Sequence, residues 1–379
     1  MAKYGSILVT GGAGFIGSHV VEQLVSNNFE VIVLDNLEPQ VHGTDRKDVL
    51  VREREGVTYV FKDIRNRDEL ARLVKNVDAV IHLAAAVGVG QSMYEIEKYV
   101  DSNTRGTAML LDVLVNTDHN ISKLVVASSM SIYGEGKYFC EKCDSFRTPD
   151  LRQGPSNVMG WEHACKKCGS NLKPVPTDED TTLRPTSIYA MSKRHQEEMC
   201  ILIGRTYDIP TVALRFFNVC GPGQSLSNPY TGAAAIFMSR IANKHEPYIF
   251  EDGNQLRDFI HVSDIARACV SALERDSADY LPVNVGTGQP TSIRQIAETL
   301  TDLYGGDVKP HITNEFRKGD IRHCYADTRR AKKLLGFESR LTYKHALSDL
   351  VQWTKSGGGE NAVDMFDKAL AQLREKNLA

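Results

Sequence analysis

Tyr189 and Lys193 are the residues of this chain best suited to moving a proton. Their i and i+4 spacing places both side chains on one face of a helix. A phenol with an unperturbed pKa of about 10 is a poor base at neutral pH, but a nearby ammonium group stabilises the phenolate and lowers that pKa. Because many helices carry Tyr-x-x-x-Lys by chance, the pair needs a second feature before it indicates a function.

A glycine-rich segment, TGGAGFIGSH starting at Thr10, supplies the second feature. It fits G-x-G-x-x-G from Gly12, and Gly11, Gly14 and Gly17 also fit G-x-x-G-x-x-G. The segment follows a strand-like run and opens a helix-like one, the context in which glycines let a backbone approach a pyrophosphate at a helix N-terminus. It predicts a dinucleotide site, where a positively charged nicotinamide ring would also stabilise a phenolate.

Two acidic residues and one alanine-rich strand end are further candidates for the predicted dinucleotide site. Asp35 lies close to the roughly 20-residue offset of a ribose-binding acid. Its carboxylate would accept from the adenosine ribose hydroxyls and repel a 2′-phosphate, and no arginine follows directly, so NAD is favoured over NADP. Asp63 is a candidate acceptor for the adenine amino group or, alternatively, a helix cap. The run 82–86, HLAAA, is either a wall for the cofactor or a buried strand with a satisfied histidine.

Apolar runs of strand length alternate with helix-like segments along the first half of the chain. Since these runs are apolar throughout, they suit parallel strands that are covered on both faces. We therefore expect an α/β fold, a Rossmann-type doubly wound parallel sheet with a smaller C-terminal substrate domain. The predicted elements are strands Ser6–Thr10, Val31–Asp35, Thr58–Ile64, Ala79–Ala84, Leu124–Ser129 and Thr211–Phe217, and helices that include Arg67–Lys75, Asp101–Val115 and Ile188–Tyr207.

The predicted boundary between the two domains lies after residue 218. Residues 1–218 form the dinucleotide-binding domain, which is interrupted by an insertion at 137–176 that lacks apolar periodicity. Residues 219–379 form mainly the smaller domain, which would close over the strand ends, and residues 258–275 are expected to return to the first domain.

Four of the eight cysteines cluster inside the insertion. Cys140 and Cys143 form one C-x-x-C pair, Cys165 and Cys168 form another, and 21 residues separate the pairs. This spacing is close to that of four-cysteine zinc sites, and a glycine after the second pair suits a knuckle turn. We expect a structural zinc, since four thiolates leave no open position for catalysis. A redox dithiol and plain surface thiols are the alternatives.

The bulk composition argues against several classes of function. The 379 residues carry a net charge of −3, so the overall charge does not favour binding to nucleic acid or to an anionic membrane surface. No segment approaches the roughly 20 apolar residues of a transmembrane helix, and the N-terminus lacks a signal-peptide pattern. Eight cysteines over this length do not form a secreted disulfide framework, and we expect a cytoplasmic protein.

The order of short motifs along most of the chain resembles the extended short-chain dehydrogenase/reductases, in their group of NAD-dependent nucleotide-sugar epimerases and dehydratases. So many motifs in one order are specific to that family. They are TGGAGFIGSH, Asp35-Asn36, Asp63-Ile64, HLAA, NTRGT with Asn103, SSMSIYG, YAMSK, LRFFNVCGPGQ, RDFIHVSDIA, NVGTG and KGDIRHCYAD.

The resemblance implies roles for individual residues. The catalytic triad would consist of Ser129, Tyr189 and Lys193. A dTDP- or UDP-linked sugar would be bound, with the arginines on phosphate, by Val87, Ser129, Asn218, Arg257 and Arg317. NAD would be bound by Gly11, Gly14, Phe15, Ile16, Gly17, Asp35, Asn36, Asp63, Ile64, Leu83, Ala84, Ala85, Asn103, Tyr189, Lys193 and Phe216.

The residues after Ser129 narrow the reaction. In 4,6-dehydratases of this family an acid pair follows the catalytic Ser or Thr, whereas this chain has Met130 and Ser131, which argues against a dehydratase. The resemblance then implies a nucleotide-sugar 4-epimerase with tightly bound NAD. In such a reaction Tyr189 takes the proton of the sugar 4-hydroxyl, and carbon 4 is oxidised to a ketone and reduced again from its other face.

Longer segments resemble one sugar specificity within this group. PQVHG, AAAVGVGQSMYEI, the cysteine insertion and NVCGPGQSLSNPYTG are similar to dTDP-L-rhamnose 4-epimerases, which make dTDP-6-deoxy-L-talose. Val87 stands where UDP-galactose 4-epimerases often have a lysine, which suits a less polar pocket.

Three alternatives stay open. The first is a UDP-glucose/UDP-galactose-type or other nucleotide-sugar 4-epimerase, and the second is a net reductase of 4-keto sugars that releases NAD(P). The third is a non-catalytic NAD-binding redox sensor whose zinc knuckle binds protein or nucleic acid. The intact set of Ser129, Tyr189 and Lys193 argues against the sensor, because a sensor needs no phenolate.

Two predicted helices carry more apolar residues than one buried face needs. The excess lies at Met109, Leu110, Leu111, Val113 and Leu114, and at 200–203. We expect a homodimer through these helices, as the resemblance also implies; burial of both helices inside one chain is the alternative.

Overall fold

The computed structural model describes residues 4–43, 55–155, 160–358 and 362–379. Seven of its strands form one sheet: β1 Ser6–Thr10, β2 Glu30–Asp35, β3 Val57–Phe61, β4 Ala79–His82, β5 Lys123–Ser129, β9 Thr211–Phe216 and β14 Leu281–Val285. Their order is β14-β9-β5-β4-β1-β2-β3, and every neighbouring pair is parallel. The prediction of an α/β fold with a doubly wound parallel sheet is confirmed.

Burial explains which of these strands the sequence revealed. Every residue of β4 and of β9 is buried, so both read as continuous apolar runs. The third and fourth strands end two or three residues earlier than predicted, at Phe61 and His82. The strand β14 carried little signal because its sequence LPVNV contains a proline and an asparagine, and Pro282 is tolerated there because β14 lies at the sheet edge.

Helices cover both faces of the sheet. On one face α1 Phe15–Ser26 packs against α8 Val262–Glu274. The other face carries α3 Arg67–Val74, α5 Gly106–Asn116 and α6 Ile188–Thr206. Three shorter helices are α2 Pro39–His42, α4 Ile96–Tyr99 and α10 Arg329–Leu335. In the part of the chain that the structure describes, no helix is both long enough and apolar enough to cross a bilayer.

The sheet order fixes where a ligand can bind. Strand β1 pairs with β2 on one side and with β4 on the other, with Val9 between Val33 and Ile81. The chain therefore leaves β1 and β4 in opposite directions, which opens a crevice at their carboxyl ends. The glycine-rich loop follows β1 at this edge, and Ser129 ends β5 at the same edge.

The smaller part of the molecule has a hydrophobic cluster of its own. It is formed mainly by α7 Ala233–Ala242, α9 Ile293–Tyr304 and α11 Tyr343–Trp353. Its short strands are β10 Asn218–Cys220, β11 Tyr248–Ile249, β12 Leu256–Arg257, β13 Phe259–His261, β15 Thr291–Ser292, β16 His311–Ile312 and β17 His323–Cys324. The last helix, α12 Phe366–Glu375, packs against Tyr248 and Phe250. Because α8 and β14 alternate with these elements along the chain, the division into two domains stays a prediction.

The cysteine insertion folds as a separate small sheet. Its strands β6 Tyr138–Cys140, β7 Ser145–Arg147 and β8 Lys173–Pro174 are antiparallel, in the order β7-β6-β8. Among the insertion residues that the structure describes, Tyr138 and Leu172 are the only members of its buried cluster apart from the cysteines. Such a small apolar core does not hold a segment of this length by itself.

Candidate active site

One cavity of about 420 Å³ lies at the carboxyl edge of the sheet, between the glycine-rich loop, the start of α6 and residues 224–234 of the smaller part. It brings together most of the residues that the sequence analysis singled out. Those that line it are Gly11, Gly14, Phe15, Ile16, Gly17, Asp35, Asn36, Asp63, Ile64, Leu83, Ala84, Ala85, Val87, Ser129, Tyr189, Lys193, Phe216 and Asn218. The structure does not place Asn103, Arg257 or Arg317 on this lining.

Two glycines of the loop are required by its geometry. Gly11 has a φ of +71°, and a Cβ there would lie 2.8 Å from the backbone nitrogen of Ala84. A Cβ on Gly17 would collide with the carbonyl oxygen of Gly11. The loop thus packs directly on the residues that follow β4, and α1 begins at Phe15. The first residues of α1 line the cavity, and a helix N-terminus offers backbone amides without intrahelical partners.

The carboxylate of Asp35 is fixed at the end of β2. Its Oδ2 accepts from the amide of Ala13 at 3.0 Å, and its Oδ1 accepts from the amide of Leu37 at 2.9 Å. The acid therefore ties the glycine-rich loop to β2 and still lines the cavity. This is the position from which a carboxylate can meet an adenosine ribose.

Asp63 also lines the cavity, but its carboxylate has several protein partners. Arg65 Nε donates to Oδ1 at 2.7 Å, and Asn36 Nδ2 donates to Oδ2 at 3.0 Å. The hydrogen bonds from Arg65 lower the pKa of Asp63 to about 2 despite partial burial. Asp63 is therefore ionised at neutral pH, and its contact with adenine stays a prediction.

Both ring nitrogens of His82, at the end of β4, have hydrogen-bond partners inside the protein. Its Nδ1 lies 2.7 Å from Thr10 Oγ1, and its Nε2 lies 2.9 Å from Thr107 Oγ1. Burial, together with the positive charge of Lys193, lowers the pKa of His82 to about 3. The histidine is therefore a neutral structural residue, as one interpretation of this segment expected. The next residues, starting at Leu83, line the cavity, and their contact with the cofactor stays a prediction.

Asn103 lies behind the cavity wall, in a π-helical turn over Val100–Arg105. Its side chain accepts from the amide of Ala86 at 2.7 Å and donates to Ser192 Oγ at 2.9 Å. It therefore joins the loop after β4 to α6. A direct contact with NAD stays a prediction.

Tyr189 and Lys193 lie in the first turns of α6, which begins after Ser187. The hydroxyl of Ser187 caps the helix by accepting from the amide of Ala190 at 3.1 Å. Lys193 Nζ donates to the carbonyl oxygen of Ala127 in β5 at 2.9 Å, which holds the ammonium at the strand end. Burial lowers the pKa of Lys193 to about 8.

Burial acts in the opposite direction on the phenol. It raises the pKa of Tyr189 to about 12, and a hydrogen bond with Ser129 works against this rise. A buried phenol of this kind becomes a base only where positive charge stabilises the phenolate. The site thus brings a candidate base, a hydroxyl and an ammonium group together at one end of the cavity.

A buried carboxylate on α6, that of Glu197, binds both β5 and β9 behind these residues. Glu197 accepts from Ser128 Oγ at 2.6 Å and from Arg215 Nε at 3.0 Å, and both of its carboxylate oxygens take part. Since Ser128 directly precedes Ser129, this contact fixes the strand end that carries the hydroxyl. Glu197 and Arg215 were not singled out from the sequence, although Glu197 lies one turn after Lys193 on the same helix.

Two cavity residues carry acceptors without a protein partner. Asn218 Oδ1 and Gln224 Oε1 are shielded from solvent and have no hydrogen-bond partner among the described residues. Buried acceptors of this kind are normally paired, so they favour a polar ligand at this end of the cavity. Asn218 was expected to contact the nucleotide, whereas Gln224 was missed as a single residue although its segment, NVCGPGQ, was part of the motif evidence.

Arg257 lies outside the cavity lining and pairs with backbone. Its guanidinium donates to the carbonyl oxygens of Leu256, Ile321 and Arg322 at 2.7–2.9 Å. Burial lowers its pKa, and no carboxylate among the described residues forms an ion pair with it. A charge of this kind is suited to an incoming anion.

Arg317 has a different environment. It pairs with Asp320, with Nη2 2.7 Å from Oδ1, and its guanidinium lies 5.1 Å from the centroid of the Phe250 ring. A diphosphate would have to compete with the carboxylate of Asp320 for this guanidinium.

The four clustered cysteines converge on one point. Cys140 and Cys168 have their sulfurs 3.5 Å apart, Cys143 and Cys165 have theirs 3.9 Å apart, and all four sulfurs lie within 4.8 Å of one another. The chain turns back after each pair through a residue with positive φ, Asp144 after the first and Gly169 after the second. None of the eight cysteines forms a disulfide.

Comparison with known proteins decides the family. A family model described as the NAD dependent epimerase/dehydratase family matches residues 7–157 and 165–286. The chain belongs to this family. A dTDP-L-rhamnose 4-epimerase of Burkholderia thailandensis is 33% identical over 351 residues, which cover 92% of this chain and 94% of the relative. A UDP-glucuronate 4-epimerase of Thermodesulfobacterium geofontis is also 33% identical, over 357 residues that cover 93% and 96%.

Solved structures agree with the family assignment. A UDP-glucose 4-epimerase from Thermotoga maritima with UDP-glucose matches with a TM-score of 0.74 and 28% identity, over 93% of this chain and 99% of that chain. A UDP-glucuronic acid 4-epimerase from Bacillus cereus, in complex with UDP-glucuronic acid and NAD, matches with a TM-score of 0.73 and 26% identity over the same shares. The predictions of an extended short-chain dehydrogenase/reductase of the epimerase group, and of an NAD-dependent isomerase, are confirmed.

Proposed function

We propose that this chain is a nucleotide-sugar 4-epimerase with tightly bound NAD. The observation that carries the proposal is one cavity that combines the glycine-rich loop and Asp35 with Ser129, Tyr189 and Lys193. A dehydratase is not favoured, because Met130 and Ser131 follow Ser129 and neither is an acid. Relatives named as 4-epimerases for rhamnose, glucose and glucuronate sugars support the reaction type.

The residues at the sheet edge fit NAD. Gly11 and Gly17 allow the close backbone approach that a pyrophosphate needs, and the start of α1 at Phe15 offers free amides. Asp35 would accept from the adenosine ribose. When bound, NAD supplies a reversible hydride acceptor next to the sugar.

In the mechanism that this geometry supports, the phenolate of Tyr189 removes the proton of the sugar 4-hydroxyl and later returns it. Ser129 donates a hydrogen bond to the 4-oxygen, which stabilises the charge that develops there. Lys193 is held on Ala127, one helical turn from Tyr189, and from there its ammonium group would stabilise the phenolate and lower the phenol pKa. The sugar becomes a 4-keto sugar, turns over while its diphosphate stays bound, and is reduced on its other face.

The nucleotide is assigned to Asn218, and its diphosphate is assigned to Arg257 and Arg317. The unpaired acceptor of Asn218 suits a donor such as a ribose hydroxyl or a base N–H. Arg257, which lacks a carboxylate partner among the described residues, suits phosphate. Arg317 would exchange its bond with Asp320 for a phosphate oxygen.

The sugar that we favour is L-rhamnose linked to dTDP, converted to 6-deoxy-L-talose. Val87 lines the cavity and is 47% exposed in the structure, so an apolar methyl group such as carbon 6 of a deoxy sugar can pack on it. The rhamnose 4-epimerase relative, at 33% identity, supports this choice. The alternatives are a UDP-glucose-type or other nucleotide-sugar 4-epimerase, supported by the other relatives, and a net 4-keto-sugar reductase.

The deciding experiment is to incubate the purified protein with a panel of dTDP- and UDP-sugars and to follow carbon 4 by NMR. We expect inversion at carbon 4 without added NADH, with dTDP-L-rhamnose turned over fastest. Turnover that consumes external NADH stoichiometrically would identify a reductase instead. Turnover of UDP-glucose alone would keep the 4-epimerase and reject the rhamnose specificity.

We also infer that the four cysteines hold a structural zinc. A tetrahedral zinc with Zn–S bonds of about 2.3 Å has sulfur–sulfur edges of about 3.8 Å, which is close to the 3.5 and 3.9 Å of the two sulfur pairs. The two turns with positive φ after Cys143 and Cys168 give the paired knuckles that such a site uses. With four sulfurs the shell is closed, so the metal would stabilise the insertion rather than act on the sugar.

A further inference from the structure

Glu162, three residues before Cys165, joins the cysteine insertion to the smaller part of the molecule. Its carboxylate accepts from Arg322 Nε at 2.8 Å and from His323 Nε2 at 2.9 Å. Burial alone raises the pKa of Glu162, but the hydrogen bonds from His323 and Arg322 outweigh this and hold the pKa at about 2. Glu162 is therefore ionised at neutral pH and forms a charged contact between the two parts.

A second contact runs parallel to the first. Arg152 of the insertion donates to both carboxylate oxygens of Glu251, at 3.0 and 2.8 Å. Glu251 is fully buried and also accepts from Arg322 Nη1 at 3.0 Å. The ring of Trp161 stacks on Phe316, with centroids 6.2 Å apart and planes inclined by 18°. The insertion is thus bound to the smaller part by buried ion pairs and by one stacked aromatic pair.

The residues contacted by the insertion are neighbours of the two predicted phosphate ligands. Arg257 donates to the carbonyl oxygens of Ile321 at 2.7 Å and of Arg322 at 2.9 Å. Phe316 directly precedes Arg317 in the chain. Each predicted phosphate arginine therefore lies one backbone step or one hydrogen bond from a residue that the insertion holds.

We propose that the cysteine insertion is a positioning module for the nucleotide diphosphate. The cysteine cluster fixes the segment that carries Trp161 and Glu162. That segment holds Phe316 and Arg322 in place. Phe316 and Arg322 in turn determine the positions of Arg317 and Arg257. None of these contacts includes Ser129, Tyr189 or Lys193, so the insertion governs nucleotide affinity rather than the chemical step. The proposal rests on the assignment of the two arginines to the diphosphate that was made under the proposed function.

The test compares Glu162→Gln with Glu141→Gln in the full-length, NAD-containing protein. Glu141 lies in the same insertion, but its partner is the exposed Lys173, so E141Q is a matched control that leaves the contact with Arg322 intact. The affinity for UDP and for dTDP is measured by calorimetry. We expect E162Q to weaken the better of the two nucleotides about tenfold, because it removes a charged partner from Arg322 and His323.

Steady-state kinetics distinguish positioning from a general loss of structure. In E162Q the KM for the nucleotide sugar should rise by about the same factor as the Kd, while kcat at saturation and the bound NAD stay within about twofold. E141Q should match the wild type in all four measurements. Equal nucleotide affinity in E162Q and E141Q, or a loss of kcat without a change in Kd, overturns the proposal.

Trp161→Leu provides a second variant in case E162Q folds poorly. It removes the stack on Phe316 without leaving a buried charge, and it should raise the Kd of the nucleotide in the same direction. If W161L and E162Q both bind the nucleotide as tightly as the wild type, the insertion does not position the arginines.

Arg317→Gln separates this proposal from the proposed function. If R317Q and wild type bind UDP and dTDP equally well, or if the wild type binds neither, the assignment of the diphosphate site fails and the positioning proposal fails with it. If R317Q weakens binding and E162Q does not, the diphosphate site stands and only the positioning role is rejected.

Discussion

The hydroxyl of Ser131 donates a hydrogen bond to Ser129 Oγ at 3.0 Å, and the amide of Ser131 lies 3.2 Å from the same oxygen. Ser131 stands at a position where dehydratases of this family have an acid. Here it orients the hydroxyl that in turn hydrogen-bonds Tyr189. Ser131 cannot serve as the acid that a dehydratase needs for elimination. Instead it holds the hydroxyl of Ser129, a residue of the proposed oxidation site.

The first prediction concerns the pH dependence of the base. Burial raises the pKa of Tyr189, and Ser129 counteracts that rise. In Ser129→Ala the phenolate loses this partner, so the acid limb of the kcat/KM profile should move about one unit toward higher pH. Activity at neutral pH falls for the same reason. Profiles of the wild type and S129A across the neutral and alkaline range check this, with the exposed Ser26→Ala as control.

An unshifted acid limb in S129A would show that Ser129 does not stabilise the phenolate. Ser131→Ala should give a shift in the same direction but a smaller one, since Ser131 acts on Tyr189 only through Ser129.

The second prediction tests the base itself. Tyr189→Phe keeps the ring, which packs edge-on against Tyr99 with centroids 6.4 Å apart, but removes the phenol oxygen. Turnover should fall about a thousandfold or more, while the bound NAD and the affinity for UDP or dTDP stay unchanged. Tyr207→Phe, at the exposed end of the same helix, is the control. Near-normal turnover in Y189F would reject Tyr189 as the base.

The third prediction concerns the choice between NAD and NADP. The carboxylate of Asp35 is ordered by the amides of Ala13 and Leu37 and would face a 2′-phosphate. Asp35→Asn removes the negative charge, so the ratio of NADP to NAD affinity should rise about tenfold. Binding to cofactor-free protein gives both constants, and the exposed Asp302→Asn is the control. Equal affinity of the wild type for the two cofactors would contradict the assignment.

The parts of the site that follow from local patterns could be predicted from the sequence. Gly11 and Gly17 lie within a few residues of each other, and Tyr189 and Lys193 share one helical face. The two local patterns taken together, with the motif order along the chain, indicated these residues. The apolar strands β4 and β9 were visible because every residue in them is buried.

The parts that depend on long-range pairing could not be predicted in this way. Glu251 is buried because Arg152 and Arg322, which are far from it in the chain, lie on either side of its carboxylate. No spacing in the sequence indicates that such charges meet. The motif around Arg257 indicates a phosphate ligand, and that role stays a prediction. Only the structure shows that three carbonyl oxygens hold the guanidinium of Arg257 outside the cavity lining.

The fourth prediction concerns the metal. Purified protein should contain about one zinc per chain. Cys143→Ser should lose the zinc and lower the melting temperature, because the insertion has little apolar core to replace it. Cys220→Ala removes a thiol outside the cluster and should keep the zinc. A metal-free protein with wild-type stability and activity would refute the structural zinc.

The fifth prediction concerns the homodimer. The structure buries much of the apolar excess inside one chain, including Leu110, Leu114 and Cys200. On α6, however, Leu202 remains 63% exposed and Met191 remains 43% exposed. They are eleven positions apart, about three helical turns, so they lie on the same face. This stripe is the surface that we expect to pair with a second copy.

Sedimentation velocity of the wild type should show a dimer, and Leu202→Glu should shift it to the monomer, because burying a carboxylate in an apolar interface costs several kcal/mol. Leu303→Glu is the matched control, since Leu303 is exposed on α9 in the smaller part of the molecule. A monomeric wild type would reject the homodimer. An L202E variant that remains dimeric would show that the interface lies elsewhere. The helix that carries the stripe also carries Tyr189 and Lys193, so a loss of activity that accompanies the monomer would show that pairing holds the first turns of α6 in place.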